Sequence, residues 1–182
     1  MNILETLAGM LKHTVGEDPP APLHVGEVMY LWTYLAMVDE VVSYLDSAMH
    51  MTTDQDLIQN MQDCKSNCHD QHNRLTAFML KEGVPLPPTS EEKPKSNPNA
   101  VPLGVKLTDD EIANGLAAKT AASIMTCAAG ITTSVRIDVG IMWTTCQVEK
   151  MEYGSKLRMM MQKRGWLKVP PYYYPPGMPE RR

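Results

Sequence analysis

The sequence predicts an all-α protein built from four long helices, and three observations carry the prediction. All 14 prolines fall in three places, residues 19 to 22, 85 to 102 and 170 to 179. The long stretches between them suit helix interiors, because proline lacks the amide donor and clashes with the preceding turn. Within those stretches apolar residues recur at alternating intervals of three and four, the spacing of a helix that buries one stripe. The period-two alternation of a half-buried strand is almost absent.

The first helix is predicted over about Leu23 to His50, with Val28, Leu31, Leu35, Val38, Val42, Leu45 and Met49 on its buried stripe. The second runs from about Asp54 to Gly83 through Leu57, Met61, Cys64, Cys68, Gln71, Leu75 and Phe78. A third opens at Thr108-Asp109-Asp110-Glu111, where Thr108 can cap the first amides and Glu111 can reach back to it. It continues to about Ser134 through Ile112, Leu116, Ile124, Cys127 and Ile131. The fourth is expected to be capped by Asp138 and to bury Met142, Cys146, Tyr153, Leu157 and Met160. It stops at Lys163-Arg164-Gly165, where basic residues in the last turn followed by glycine make a good terminus.

Four helices, each about 40 Å long at 1.5 Å per residue, predict a four-helix bundle. The short turns around Met51 to Thr53 and Val135 to Ile137 make each flanking pair antiparallel. Residues 84 to 107 differ, with six prolines and an extended reach of about 75 Å, enough to cross from one end of a bundle to the other. A long proline-stiffened crossover between helices 2 and 3 is the ferritin-like arrangement. The 182 residues suit one domain spanning 1 to 182, with an N-terminal segment (1 to 20), the crossover (84 to 107) and a Pro/Tyr-rich tail (166 to 182).

Composition narrows the function. Hydrophobic residues make up 43% and charged residues 21%, and the net charge is −4, which argues against a disordered chain and against nucleic acid as a partner. Glu5 interrupts the first apolar stretch and no small-residue cleavage pattern follows, so a secretory leader is not expected. The uncharged run from 120 to 135 is too short and too rich in Thr and Ser to span a membrane. The expected location is therefore inside the cell that makes the protein, with its four cysteines reduced.

The stretch CKSNCHDQH, residues 64 to 72, concentrates cysteine and histidine. Residues four apart on a helix hold their Cβ atoms about 5 to 6 Å apart, beyond the about 3.5 to 4.5 Å of a disulfide, so Cys64 and Cys68 read as core packing. The di-iron site of ferritin-like bundles needs a Glu from each of two helices and a Glu-x-x-His pair from each of the other two. Helix three has no carboxylate after Glu111 and helix four no histidine, so that set is incomplete. A lesser site remains open: Cys68, His72, Glu149 and Glu152 fall at a similar level and would suit Fe, Zn or Mn. The alternative is a polar pair of His72 and Glu149 at the core edge. His24 and Glu27, one turn apart at the start of helix one and about 15 Å away along the axis, read as a capping or end-of-bundle pair.

The uncharged runs 120 to 135 and 139 to 148 predict that something covers helices 3 and 4. Ala121, Ala122, Ala128, Ala129 and Gly130 would let a second copy approach, giving a homodimer. The alternative cover is the N-terminal segment, through Ile3, Leu4, Leu7 and Leu11. Met159 to Met161 read as core filling, and Trp166 with Tyr172 to Tyr174 as folding back on the bundle end or as a polyproline-type docking tail.

Pro22-Leu23-His24-Val25-Gly26-Glu27-Val28, Gly83-Val84-Pro85-Leu86-Pro87-Pro88, and Lys163-Arg164-Gly165-Trp166-Leu167 before Pro170-Pro171 together resemble a family of ferritin-like helical bundles of uncharacterised function from spore-forming bacteria, related to spore coat proteins of the coat F type. The resemblance covers about residues 20 to 176 and implies a non-enzymatic, coat-associated structural role, with spore coat proteins as partners. In that family a histidine often stands where this sequence has Gln147, next to Val148-Glu149-Lys150. The competing expectation is a metal-binding or oxidative-stress protein. For the leading reading no cofactor and no catalytic residue are expected.

Overall fold

The computed structural model describes residue 9, residues 21–89, residue 91 and residues 93–176. Among these it is all-helical, with four long α-helices, a short 3₁₀ turn at Pro98–Ala100 and no strand. The long helices are α1 (Val25–Met49), α2 (Gln55–Lys81), α3 (Asp109–Thr133) and α4 (Ile137–Arg164). They lie within the four stretches that the proline gaps delimit. The expected cover by Ile3 to Leu11 lies outside the described residues.

Local chemistry explains most of the helix ends. Thr108 caps α3 through the Glu111 amide while the Glu111 carboxylate takes the Thr108 amide, the predicted reciprocal box. Gly83 and Gly165 sit at φ of 72° and 73°, a left-handed geometry that a Cβ penalises. Beyond each glycine the chain closes the helix end in the same way: Val84 donates to the Met79 carbonyl, and Trp166 to that of Met161. The start of α4 differs from expectation. The helix begins one residue before Asp138, its N-terminal flank is Arg136, and no side chain caps it. Asp138 instead accepts from its neighbour's amide and from Arg136, so the carboxylate still faces the positive end of the helix.

The helices share one core, to which Leu31, Leu35, Leu45, Leu57, Leu75, Ile112, Leu116, Trp143 and Leu157 contribute side chains at most 1% exposed. Each such aliphatic residue contributes about 1.5 to 3 kcal/mol on burial. The α1 stripe departs from strict 3,4 spacing in its second half, where Val41 and Ala48 are buried and Val42 and Met49 lie at the edge. A straight helix turns every 3.6 residues, so a stripe drawn at 3.5 drifts off the core after two or three turns. On α2 the same drift buries Met79 in place of Phe78. Gly130 lets Trp143 in: a Cβ there would stand 2.5 Å from the indole Cε2.

Hydrogen bonds record which helix ends meet. Tyr44, late in α1, donates to the carbonyl of Ile112, early in α3. The His24 ring bonds the Thr133 carbonyl at the far end of α3. Arg136 bonds Glu82, just past α2. Arg164, closing α4, bonds Asp54 and Asp56 at the start of α2. In the connection between α2 and α3, Lys93 Nζ reaches Ser47 Oγ near the end of α1. No described helix is long and apolar enough to cross a membrane.

Candidate functional site

At mid-height all four helices turn polar side chains inward. Tyr34 (α1) is fully buried and donates to Gln71 Oε1 at 2.9 Å; Gln71 (α2) is also fully buried. The Gln71 amide in turn donates to Glu149 Oε2 at 2.7 Å and to the Cys146 carbonyl at 3.4 Å, both on α4. Arg74 closes the chain from the rim with a 2.6 Å bond to the same Glu149 oxygen. Trp143 stacks edge-on against Tyr34, with ring centroids 5.2 Å apart and planes at 82°.

Beside this chain lies a charged residue with no route to water. Lys150 (α4) is 3% exposed, and its Nζ sits 3.2 Å from the sulfur of Cys68 (α2), which is 0% exposed. Cys64, Cys127 and Cys146 are free thiols buried in the same core. The hydrogen bond from Cys64 holds the Cys68 thiol down at about 6; burial opposes that shift and the Lys150 charge adds to it. Cys64, as the donor in that bond and as a buried group, moves the other way. Burial pushes Cys127 up to about 12 and also raises Cys146, Tyr34 and Tyr153. The Cys68 sulfur thus gives the Lys150 nitrogen an acceptor inside the core, which is the kind of partner that makes a buried lysine tolerable.

The candidate metal residues keep separate company. His72 bonds Asp39 at 2.7 Å on the side where α1 meets α2. Glu149 is held by Gln71 and Arg74, as above. Glu152 is exposed and pairs with Lys156 at 2.8 Å along its own helix. Cys68 faces Lys150. Gln71 and Arg74 on α2 reach Glu149, whereas His72 leaves α2 on another face, toward Asp39. Among the described residues no three His, Cys, Asp or Glu groups are placed to hold a metal ion. The residues do not fit an interior cation, because Lys150 already puts a positive charge there.

His24 and Glu27 do form the end pair. The His24 ring accepts from the Gly26 and Glu27 amides, and Glu27 takes the His24 amide at 3.1 Å. Glu27 is 1% exposed and its other oxygen accepts the Val135 and Arg136 amides at 2.9 Å each, tying α1 to the α3–α4 turn. Burial raises its carboxyl, but the amides of Arg136, His24 and Val135 outweigh burial and leave it below its ordinary range. Arg136, 7% exposed, adds paired bonds to Glu82 and Asp138.

Sequence reasoning missed Lys150 and Arg136. Lys150 was findable, since it stands four residues after Cys146 and three before Tyr153, on the stripe itself. Arg136, in a three-residue turn, gave no periodic signal.

Fold and layer together define an all-helical protein with a polar layer bonded across α1, α2 and α4, in which Asp39 Oδ2, Asn67 Oδ1, Thr76 Oγ1 and Trp143 Nε1 stay buried without a hydrogen-bond partner. The chain belongs to the family described as protein of unknown function, DUF3231, whose model matches residues 13–178. It is 29% identical over 158 residues to the uncharacterized protein YvdQ of Bacillus subtilis strain 168, covering 87% of this chain and 93% of that one. A crystal structure from Bacillus halodurans C-125, named a "putative spore coat protein", matches with a TM-score of 0.83 and 29% identity, over 85% of this chain and 98% of the other. A DUF305 fragment from Deinococcus radiodurans shares the fold at TM-score 0.62 with 9% identity, over 79% of this chain and 99% of that one.

Proposed function

We propose that the chain is a non-enzymatic structural protein of the spore coat, a ferritin-like four-helix bundle that self-associates through α3 and α4. The observation that carries the reading is the surface of those two helices. Met125 is 72% exposed, Met151 55% and Val148 39%. Beside them Ala117, Ala121, Ile124, Gly154 and Ser155 line an open groove of about 430 Å³. Residues 120 to 135 carry no charge. Arg158 stands in the groove's lining, and the rest is a small-residue, largely apolar surface that is desolvated cheaply against another of its kind, which a second copy supplies by symmetry.

What supports the bundle topology is the set of end contacts. Tyr44 with Ile112 and His24 with Thr133 make α1 and α3 antiparallel, so the chain between α2 and α3 has to travel the length of the bundle; Lys93 on Ser47 marks its path. The coat assignment rests on likeness to the Bacillus halodurans protein. The interior suits a structural role, since Tyr34, Gln71, Glu149, Cys68 and Lys150 bond one another across the helices.

Three measurements test the reading. Light scattering should give twice the chain mass at micromolar concentration, and Ala121→Glu with Met151→Glu should return a folded monomer; a monomeric parent refutes the face. A tagged copy expressed in a spore-forming host should fractionate with the coat of mature spores, and recovery in the core or in growing cells alone would refute the coat role. Stoichiometric iron, zinc or manganese in protein purified without chelator would favour the metal-binding alternative.

A further inference from the structure

We propose that Cys68 and Lys150 form an oxidant-driven cross-linking site, in which hydrogen peroxide converts their contact into a covalent Sγ–Nζ sulfenamide joining α2 to α4. This goes beyond the structural role and does not depend on it.

The geometry selects the pair. The lysine nitrogen lies 3.2 Å from the sulfur, and both groups are shut off from solvent. Two carboxylates lie around the pair: Glu149 on α4 is taken by Gln71 and Arg74, and Asp39 on α1 pairs with His72 through one oxygen while its other oxygen is buried without a hydrogen-bond partner. An ammonium 3.2 Å from the sulfur favours the thiolate, which is the form that attacks peroxide. Peroxide is small and uncharged, so it enters a core by the local opening that admits water, whereas a bulky or charged oxidant does not.

The steps balance. The thiolate attacks one peroxide oxygen, the O–O bond breaks, and sulfenic acid and hydroxide result. Sulfur has given up two electrons and peroxide has taken them. Hydroxide removes a proton from the Lys150 ammonium to give water, leaving a neutral amine in contact with the sulfenic sulfur. The amine attacks that sulfur, the S–O bond breaks, and the departing hydroxyl leaves as a second water with a proton from nitrogen. In sum, thiolate, ammonium and one peroxide give one S–N bond and two waters.

Cys64 is the obvious rival for the sulfenic acid. It stands four residues earlier on the same helix, where the Cβ separation of about 5 to 6 Å exceeds what a disulfide accepts, so that bond would cost a turn of α2. The lysine side chain has four rotatable carbons and approaches without moving either backbone.

The test uses the full-length, reduced protein under native conditions with equimolar hydrogen peroxide. The intact mass should fall by two hydrogens. Digestion without reductant should yield one cross-linked peptide pair containing Cys68 and Lys150, with trypsin failing to cut after Lys150 and dithiothreitol restoring both peptides. Because Cys146 shares the Lys150 peptide, Cys146→Ser must keep the link and Lys150→Arg must abolish it. The thermal midpoint of the linked form should rise. The proposal is overturned if Cys68 stays a free thiol, if it stops at sulfinic acid with Lys150 cleavable, or if the same two peptides remain linked with the loss of two hydrogens in Lys150→Arg. The peptide map of the parent protein decides alone should a variant fail to fold.

Discussion

Replacing Glu27 by alanine should be the most damaging single change at the end of the molecule where α1 meets the α3–α4 turn. Glu27 accepts three backbone amides: His24 at 3.1 Å and Val135 and Arg136 at 2.9 Å. A hydrogen bond to a charged group contributes about 1.5 to 3 kcal/mol net. The three do not simply add. Val135 is 77% exposed, and His24 is half-buried, so water can replace the lost acceptor there. The Arg136 amide is buried with its residue and pays the full desolvation penalty. The expected loss is about 3 to 5 kcal/mol, which for a domain of this size lowers the thermal midpoint by roughly 10 °C. Glu27→Gln separates the contributions. One oxygen remains for Val135 and Arg136, while an NH₂ now faces the His24 amide, so the loss should be about 1 to 2 kcal/mol. Urea denaturation followed by circular dichroism at 222 nm measures both. A loss below about 1 kcal/mol for Glu27→Ala, or equal losses for the two variants, would refute the clasp.

Glu27 also predicts an acid response: its folded carboxyl lies below the ordinary 4.5, so the unfolded chain takes up the proton first. Its contribution is therefore complete above 4.5 and is lost as pH falls through the folded value, and Glu27→Gln should flatten the fall of thermal midpoint below pH 4.5. Gly130→Ala should destabilise by about 1 to 3 kcal/mol in urea melts, because its Cβ meets the rigid indole of Trp143 at 2.5 Å. Gly115→Ala should also destabilise, by about 1 kcal/mol or more in the same melts, because its Cβ would stand 2.5 Å from the Tyr44 hydroxyl and displace the bond that hydroxyl donates to Ile112, a loss that outweighs the about 0.5 to 1 kcal/mol gained in helix propensity. Lys150→Met removes the ammonium and lets Cys68 take a proton, leaving two apolar groups in contact; stability should change by less than about 1.5 kcal/mol, and a loss above 3 would mean the thiolate persists unpaired.

The helices were legible because proline and periodicity are local signals. A proline-free run with Leu31, Leu35, Val38 and Leu45 admits few other conformations, and Thr108 with Glu111, or Gly165 after two basic residues, states where a helix begins or ends. The site was less legible because its logic is pairwise. Cys68 sits on the core stripe in the sequence, yet nothing local says that its neighbour across the core is a lysine. Charge misled twice. Lys150, between Glu149 and Met151, looks like solvent-facing surface unless its register with Cys146 and Tyr153 is given more weight than its charge. His72 looks like an inward ligand because Cys68 precedes it by four, but the buried position on that turn belongs to Gln71. The tail divided as well: Trp166 packs on the core edge, with its carbonyl bonded to Asn114 and Arg164 over its ring, while Tyr172 and Tyr173 stand 77% and 82% exposed.

A buried polar layer costs desolvation and has to be matched group by group, so its presence in a core that leucine could fill calls for a reason. Tyr34, Gln71, Glu149 and Lys150 bond only across helices, from α1 to α2 and from α2 to α4. Sliding any of these helices by one turn would leave a carboxylate, an amide and an ammonium without partners, each at a cost of several kcal/mol, whereas leucines would re-pack with little loss. The layer thus fixes the axial register of α1, α2 and α4. The α3 side contributes only Cys127, Thr120, Ser123 and small residues to the core beyond its first turns, and its register is set instead from the ends, by Tyr44 on Ile112 and by His24 on Thr133. On the outer face of α3 and α4 Met125 and Met151 stand exposed, while Gly130 and Gly154 are held small from within by Trp143 and Thr120.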